Sequence, residues 1–203
     1  VKQIDYLCKP NFLIMIKNII KMLLLLSAQP AKAWSMIADK QESNDEFLSR
    51  FLYPLIGTAT LCAFVGSFFK NGETNLQDAL KDATIILTSL FGGFYMAAFM
   101  MKQLSDYLML PQNNIGFYQR YTGYCFSLIV AITAILELFP DFFFLKIGEL
   151  YIVYIIFESH GNFLQVEESK RVRFTVIASL IVIASPFIIE TLLYKLMPGM
   201  RSI

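Results

Sequence analysis

Six ionisable side chains stand inside or at the rim of long apolar runs, and they are the first candidates for chemistry: Glu137, Lys146, Glu149, Glu158, His160 and Glu190. An ionisable group at membrane depth costs about 3 kcal/mol on insertion scales, so it marks an ion path, a proton relay or a structural pair by default. Position thins the set. Glu137 and Glu190 lie near the ends of their runs, where headgroups are within reach. Glu158 and His160 sit beside a basic segment and have Arg171 or Arg173 as expected partners. Only Glu149 falls halfway along a run, and Lys146 is three residues before it on the same helix, where the two can pair. The expected roles of that pair are a structural ion pair or a titrating carboxylate on an ion path.

Other chemistry is poorly provided for. One histidine cannot build a His-rich metal site or a zincin helix. There is no Gly-x-Ser-x-Gly elbow and no Gly-Lys-Ser/Thr phosphate loop. The apolar runs hold no Asp, and their Ser and Cys residues have no adjacent base. We therefore expect no enzyme activity, no cofactor and no metal. The three cysteines, Cys8, Cys62 and Cys125, are odd in number and widely spaced, and no disulfide is expected.

The elements that must carry these residues are five apolar stretches, at about 51–69, 84–101, 121–139, 142–157 and 174–194. Roughly 20 helical residues cross a hydrocarbon core about 30 Å thick. These stretches are apolar all round, which a soluble helix cannot be. Hydrophobic residues make up 56% of the chain, against 16% charged, and the mean hydropathy is +0.55. Average soluble proteins carry roughly 25% charged residues. No basic run is interleaved with aromatics in a polar context, so nucleic acid is not an expected partner. The expected fold is an all-α membrane protein: a bundle of five transmembrane helices over 51–195, preceded by amphipathic interfacial segments in 1–50 and followed by a short external tail, 196–203.

Within the first 50 residues, the run from Met15 imitates a signal peptide ending at Ala31-Lys32-Ala33. Pro30, Lys32 and the segment ahead of Met15 favour an interfacial helix over about 11–26 instead. Lys17, Asn18 and Lys21 share one arc, leaving Phe12, Ile16, Ile19, Ile20, Leu23 and Leu24 for the acyl boundary. A second short helix follows from Pro30, with Trp34 as an interfacial anchor.

Basic residues set the orientation. Those before the first span fall on the same side as Lys102, Arg120, Lys170, Arg171 and Arg173; the opposite side holds only Lys70, Lys81, Lys146, Lys195 and Arg201. The N-terminus is thus expected in the cytoplasm and the C-terminus outside. Asn71-Gly72 and the Pro111 to Asn114 segment read as turns, and Pro140-Asp141 as a tight hairpin. Pro186 should kink the last span, with Ser185 taking up a freed backbone partner. Small residues recur every four, at Thr58/Cys62/Gly66, Ala59/Ala63/Ser67 and Ser89/Gly93/Ala97, as ridges for close helix packing within the chain or between copies. Lys170, Arg171 and Arg173 obey the topology rule and offer a contact for anionic lipid or a partner, at about 1 kcal/mol per basic residue for lipid.

Several of these patterns together resemble the Yip family, five-span membrane proteins that interact with Ypt/Rab GTPases. Leu52-Tyr53-Pro54-Leu55 is similar to the family's Asp-Leu-Tyr-Gly-Pro string, without its Asp and Gly. Gly123-Tyr124 stands where the family opens its third span with a Gly-Tyr pair. Pro30-Ala31-Lys32-Ala33-Trp34 resembles the start of prokaryotic members, and Tyr151 to Glu158 with Glu168-Ser169-Lys170-Arg171 resembles their fourth span and last inner loop. The resemblance spans about 27–195. It implies a non-enzymatic membrane adaptor or organiser, with Tyr53, Pro54, Gly123 and Tyr124 as candidate functional or packing residues. Its expected partners are lipid, a protein at the cytoplasmic face and further copies of itself; a bacterial member would lie in the inner membrane. The alternative is a small transporter or channel component built on Lys146 and Glu149.

Overall fold

A computed structural model describes residues 12–40, 42–70, 76–111, 114–164 and 166–196. Cys8, the Asn71-Gly72 turn and residues 197–203 lie outside them. The described residues are almost entirely helical and contain no strand. Their order is α1 (Phe12–Ala28), α2 (Pro30–Asp39), a short α3 (Asn44–Phe47), α4 (Tyr53–Lys70), α5 (Leu76–Tyr107), α6 (Ile115–Leu138), α7 (Ile152–Ser159) and α8 (Glu168–Leu196). Four segments are long and apolar enough to cross a bilayer: Asn44–Phe68, Leu76–Tyr107, Ile115–Leu138 and Glu168–Leu196. This is a multi-pass membrane protein.

The first crossing segment begins earlier than the apolar run suggests. Ser43 caps it by accepting from the Glu46 amide at 3.1 Å, half of the Ser-x-x-Glu capping signature. Pro54 does not start this helix but sits ten residues into it. Proline has no N–H to give the carbonyl four residues back, and its ring crowds that carbonyl. The chain widens just upstream into a π-turn over Leu48–Leu52, in which the Tyr53 amide bonds to the Leu48 carbonyl. At the far end of α5, Met109 takes a positive φ of 53° and the Leu110 amide reaches back to Ser105, closing the helix end. Asn114 then caps α6 through the Gly116 amide at 2.9 Å.

The predicted fourth span is built differently from the rest. Residues Pro140–Tyr151 form a 3-10 helix, kinked at Phe142, and only the following eight residues are α-helical. No residue of the 3-10 helix is buried, and Phe143, Ile147 and Leu150 are more than half exposed. The segment nevertheless runs antiparallel along the whole of α6: Gly148 lies against Ile132, and Ser159 meets Tyr121 near the start of α6. Twelve residues at about 2.0 Å and eight at about 1.5 Å give a length of about 36 Å.

Close approaches lock the bundle. Gly66 of α4 touches the Glu137 carbonyl of α6, and Gly93 of α5 touches the Pro186 backbone of α8. Ala59, Ala63 and Ser67, like Ser89, Gly93 and Ala97, are buried, so these two ridges are used within the chain; on the third, Gly66 is packed but Cys62 is half-buried and Thr58 exposed. Pro186, inside α8, leaves the Val182 carbonyl without its helical donor, and Ser185 Oγ supplies one at 3.1 Å.

Candidate functional site

At one end of the bundle the N-terminal segment is docked by specific contacts. Pro30 at the first turn of α2 fixes its start, and Ala33, Trp34 and Ile37 face inward. Trp34 is fully buried, and its indole Nε1 donates to the Ile155 carbonyl of α7 at 2.8 Å. Its ring lies 5.3 Å from Tyr121, 6.3 Å from Tyr124 and 5.1 Å from Phe163. The expected headgroup anchor is therefore an internal one. A tryptophan serves the lipid interface when its N–H needs water, and here a carbonyl inside the protein takes that role.

Tyr124 and Gly123 mark the same place. Gly123 faces Phe47, and a Cβ there would stand 2.6 Å from the ring; the missing side chain is what lets Phe47 stack against Tyr124, 4.6 Å between centroids. The Tyr124 hydroxyl donates to Glu42 Oε2 at 3.1 Å, and Lys40 pairs with Glu42 Oε1 at 2.8 Å. Arg120 binds the Glu42 backbone carbonyl, and Asn44 donates to Gln119 at 2.7 Å. Tyr53 lies apart, half-buried, its hydroxyl against that of Tyr95 and its ring on Phe91. Gly123, Tyr124 and Trp34 thus form one cluster; Tyr53 and Pro54 do not belong to it. Glu42, the carboxylate that ties α2 to α6, carries no sequence signal, being one polar residue in a polar stretch.

The basic loop is partly turned inward. Lys170 donates to the Leu108 carbonyl at 3.1 Å, joining α8 to the end of α5, and Arg171 Nε reaches the Val166 carbonyl at 3.4 Å. Their ion pairs are with Glu167 and Glu168 rather than Glu158. Arg173 remains exposed. His160 is buried, its Nε2 2.7 Å from Thr175 Oγ1. The Thr175 proton is committed to the Arg171 carbonyl at 2.9 Å, so Nε2 is the donor and Nδ1 is left an acceptor with no partner. Burial, and secondarily the Arg171 charge, lower the His160 pKa to about 4. The folded state therefore resists a proton that the unfolded chain accepts near pH 6.5. Stability is full above that value and should fall as pH drops from 6.5 towards 4. Melting temperatures across this range should slope in the unaltered protein and flatten in His160→Leu.

At the other end, Glu137, Lys146, Glu149 and Glu190 line one cavity of about 330 Å³ between α6, α8 and the 3-10 helix. Glu149 thus shares its cavity with two further carboxylates, Glu137 from α6 and Glu190 from α8. Lys146 and Glu149 stack on one face of the 3-10 helix, which has three residues per turn, yet they are not among the ion pairs within 4 Å of the described residues. Nearby, Ser67 donates to Asp82 at 3.0 Å.

Among the described residues, no three His, Cys, Asp or Glu side chains, these carboxylates included, are grouped so as to hold a metal ion. No family model, curated protein or solved structure matches the chain.

Proposed function

We propose that this chain is a non-enzymatic membrane adaptor or organiser of the Yip-like type. Its N-terminal segment and inner loops present a docking surface to a protein partner in the cytoplasm. In this reading Pro140–Ser159 is a fifth crossing, which puts the N-terminus inside and the C-terminus outside, as the basic residues favour. The observation that carries the proposal is the convergence of α2, Glu42 and Phe47 on Gly123 and Tyr124. These contacts hold α2 at one end of the bundle with Met36 on its exposed face.

Photo-crosslinking in cells tests it. Probes belong at Met36, which is 43% exposed, and at exposed Arg50, because Trp34 and Tyr124 are buried. A protein captured from both positions, and lost on Gly123→Val, supports the adaptor. Capture of lipid alone sinks it.

The cavity shared by Glu137, Lys146, Glu149 and Glu190 favours one second reading, a small transporter or channel component. A carrier should lose pH-dependent flux in proteoliposomes on Glu149→Gln alone. An adaptor should tolerate Glu149→Gln together with Lys146→Met in the crosslinking assay.

A further inference from the structure

A cavity of about 780 Å³ lies between α1, α2 and the start of the first crossing segment. That is within the range of sites that hold small organic ligands. Its apolar wall includes Met15, Met22, Met36 and Phe51; methionine adapts to irregular apolar shapes. Its charged wall is balanced: Lys21, Lys40 and Arg50 against Asp39, Glu42 and Glu46. Four of these six neutralise one another, Lys40 with Glu42 at 2.8 Å and Arg50 with Glu46 at 2.6 Å. The remaining two, Lys21 and Asp39, have no ion partner within 4 Å among the described residues. Among the described residues, the cavity therefore sets the Lys21 cation and the Asp39 anion, neither in an ion pair, beside a methionine-rich wall.

Its setting supplies the apolar half of a ligand. On α1, Ile20 and Leu24 are at least half exposed on an apolar arc that adjoins Lys17, while Ile19 and Leu26, further round, are buried against the protein. In a membrane protein such an arc belongs in the acyl boundary, with the polar arc at headgroup level. We propose that this cavity binds a zwitterionic phospholipid, its phosphate on Lys21, its ammonium on Asp39 and its upper acyl region on the methionine wall. An anionic lipid such as phosphatidylglycerol would satisfy Lys21 but offer Asp39 no cation; a zwitterion answers both. The site rests on the reading that α1 lies at the membrane surface, and it gives the proposed organiser a lipid to hold.

The test is native mass spectrometry of the purified, delipidated full chain in detergent, offered equal amounts of phosphatidylethanolamine and phosphatidylglycerol with identical acyl chains. The expected result is about fivefold more phosphatidylethanolamine bound, the scale of one partly exposed charge contact. Asp39→Asn should bring the two lipids to parity or reverse them, and Lys21→Gln should weaken both. Lys17→Gln, on α1 but outside the cavity, should leave the preference intact. Equal binding by the unaltered chain overturns the site whatever the variants do, and so does an unchanged preference in Asp39→Asn. Neither result touches the adaptor reading, which the crosslinking experiment decides separately.

Discussion

Trp34→Ala should release α2 from the bundle at a cost of about 5 kcal/mol. Removing a fully buried tryptophan leaves a large cavity, worth roughly 3–5 kcal/mol in protein cores. The hydrogen bond to Ile155 adds about 1 kcal/mol. Trp34→Phe should cost only about 1–2 kcal/mol, since the ring contacts with Tyr121 and Phe163 are largely retained. The crossing helices stay inserted in either variant, so the change is a local opening rather than global unfolding. Limited proteolysis of the protein in nanodiscs reads it, with cleavage between residues 29 and 43 expected to accelerate strongly in Trp34→Ala. Because Trp34 is the one tryptophan of the chain, fluorescence gives a second reading. Emission should be blue-shifted and resist quenching by both acrylamide and headgroup-level brominated lipid. Efficient quenching by the lipid probe, with no change in proteolysis, would return Trp34 to the membrane interface.

The difference between an anchor in lipid and an anchor in protein was not legible in the sequence. Tryptophan suits both, and the choice is made by Ile155, 121 residues away. The helical class was legible, because unbroken apolar runs admit little else at this length. Four of the five runs are the four long helices, with boundaries displaced where capping and proline chemistry outweigh hydropathy. Ser43 moves the start of the first back from residue 51, and the chain widens into a π-turn just before Pro54. The run at 142–157 shows what hydropathy cannot reveal. Its Phe142-Phe143-Phe144 cluster and Gly148 are as apolar as any other run, but composition does not distinguish three residues per turn from 3.6. Pairings across the chain were equally hidden. Glu137 and Glu190 share a cavity with Glu149 only because α6 and α8 flank the 3-10 helix. The link between Pro186 and Ser185 was legible, being local: a proline frees the carbonyl four residues back whatever surrounds it.

Two glycines of α4 separate close packing from mere helix composition. At Gly66 a Cβ would stand 1.9 Å from the Glu137 carbonyl oxygen and 2.8 Å from its carbon. Those atoms are backbone, so no rotamer change relieves the clash, and α4 and α6 must part by more than 1 Å. Overpacking typically costs 1–3 kcal/mol and more where nothing yields, so Gly66→Ala should cost at least about 3 kcal/mol. At Gly57 no atom lies within 4 Å of the added Cβ. There the helix preference of alanine over glycine, up to about 1 kcal/mol, acts unopposed, and Gly57→Ala should be neutral or slightly stabilising. Both substitutions add one methyl group to the same helix, so their insertion into the membrane should not differ. Thermal melts of the two purified proteins in one detergent should diverge in opposite directions from the unaltered chain. Equal melting temperatures would mean that α4 and α6 are not in contact at Gly66. The separation would also reach the other side of the bundle, because Glu137 lines the cavity with Glu149. Any function that depends on that cavity should fail in Gly66→Ala before the fold does, while docking at Gly123 and Tyr124, at the opposite end, should survive longest.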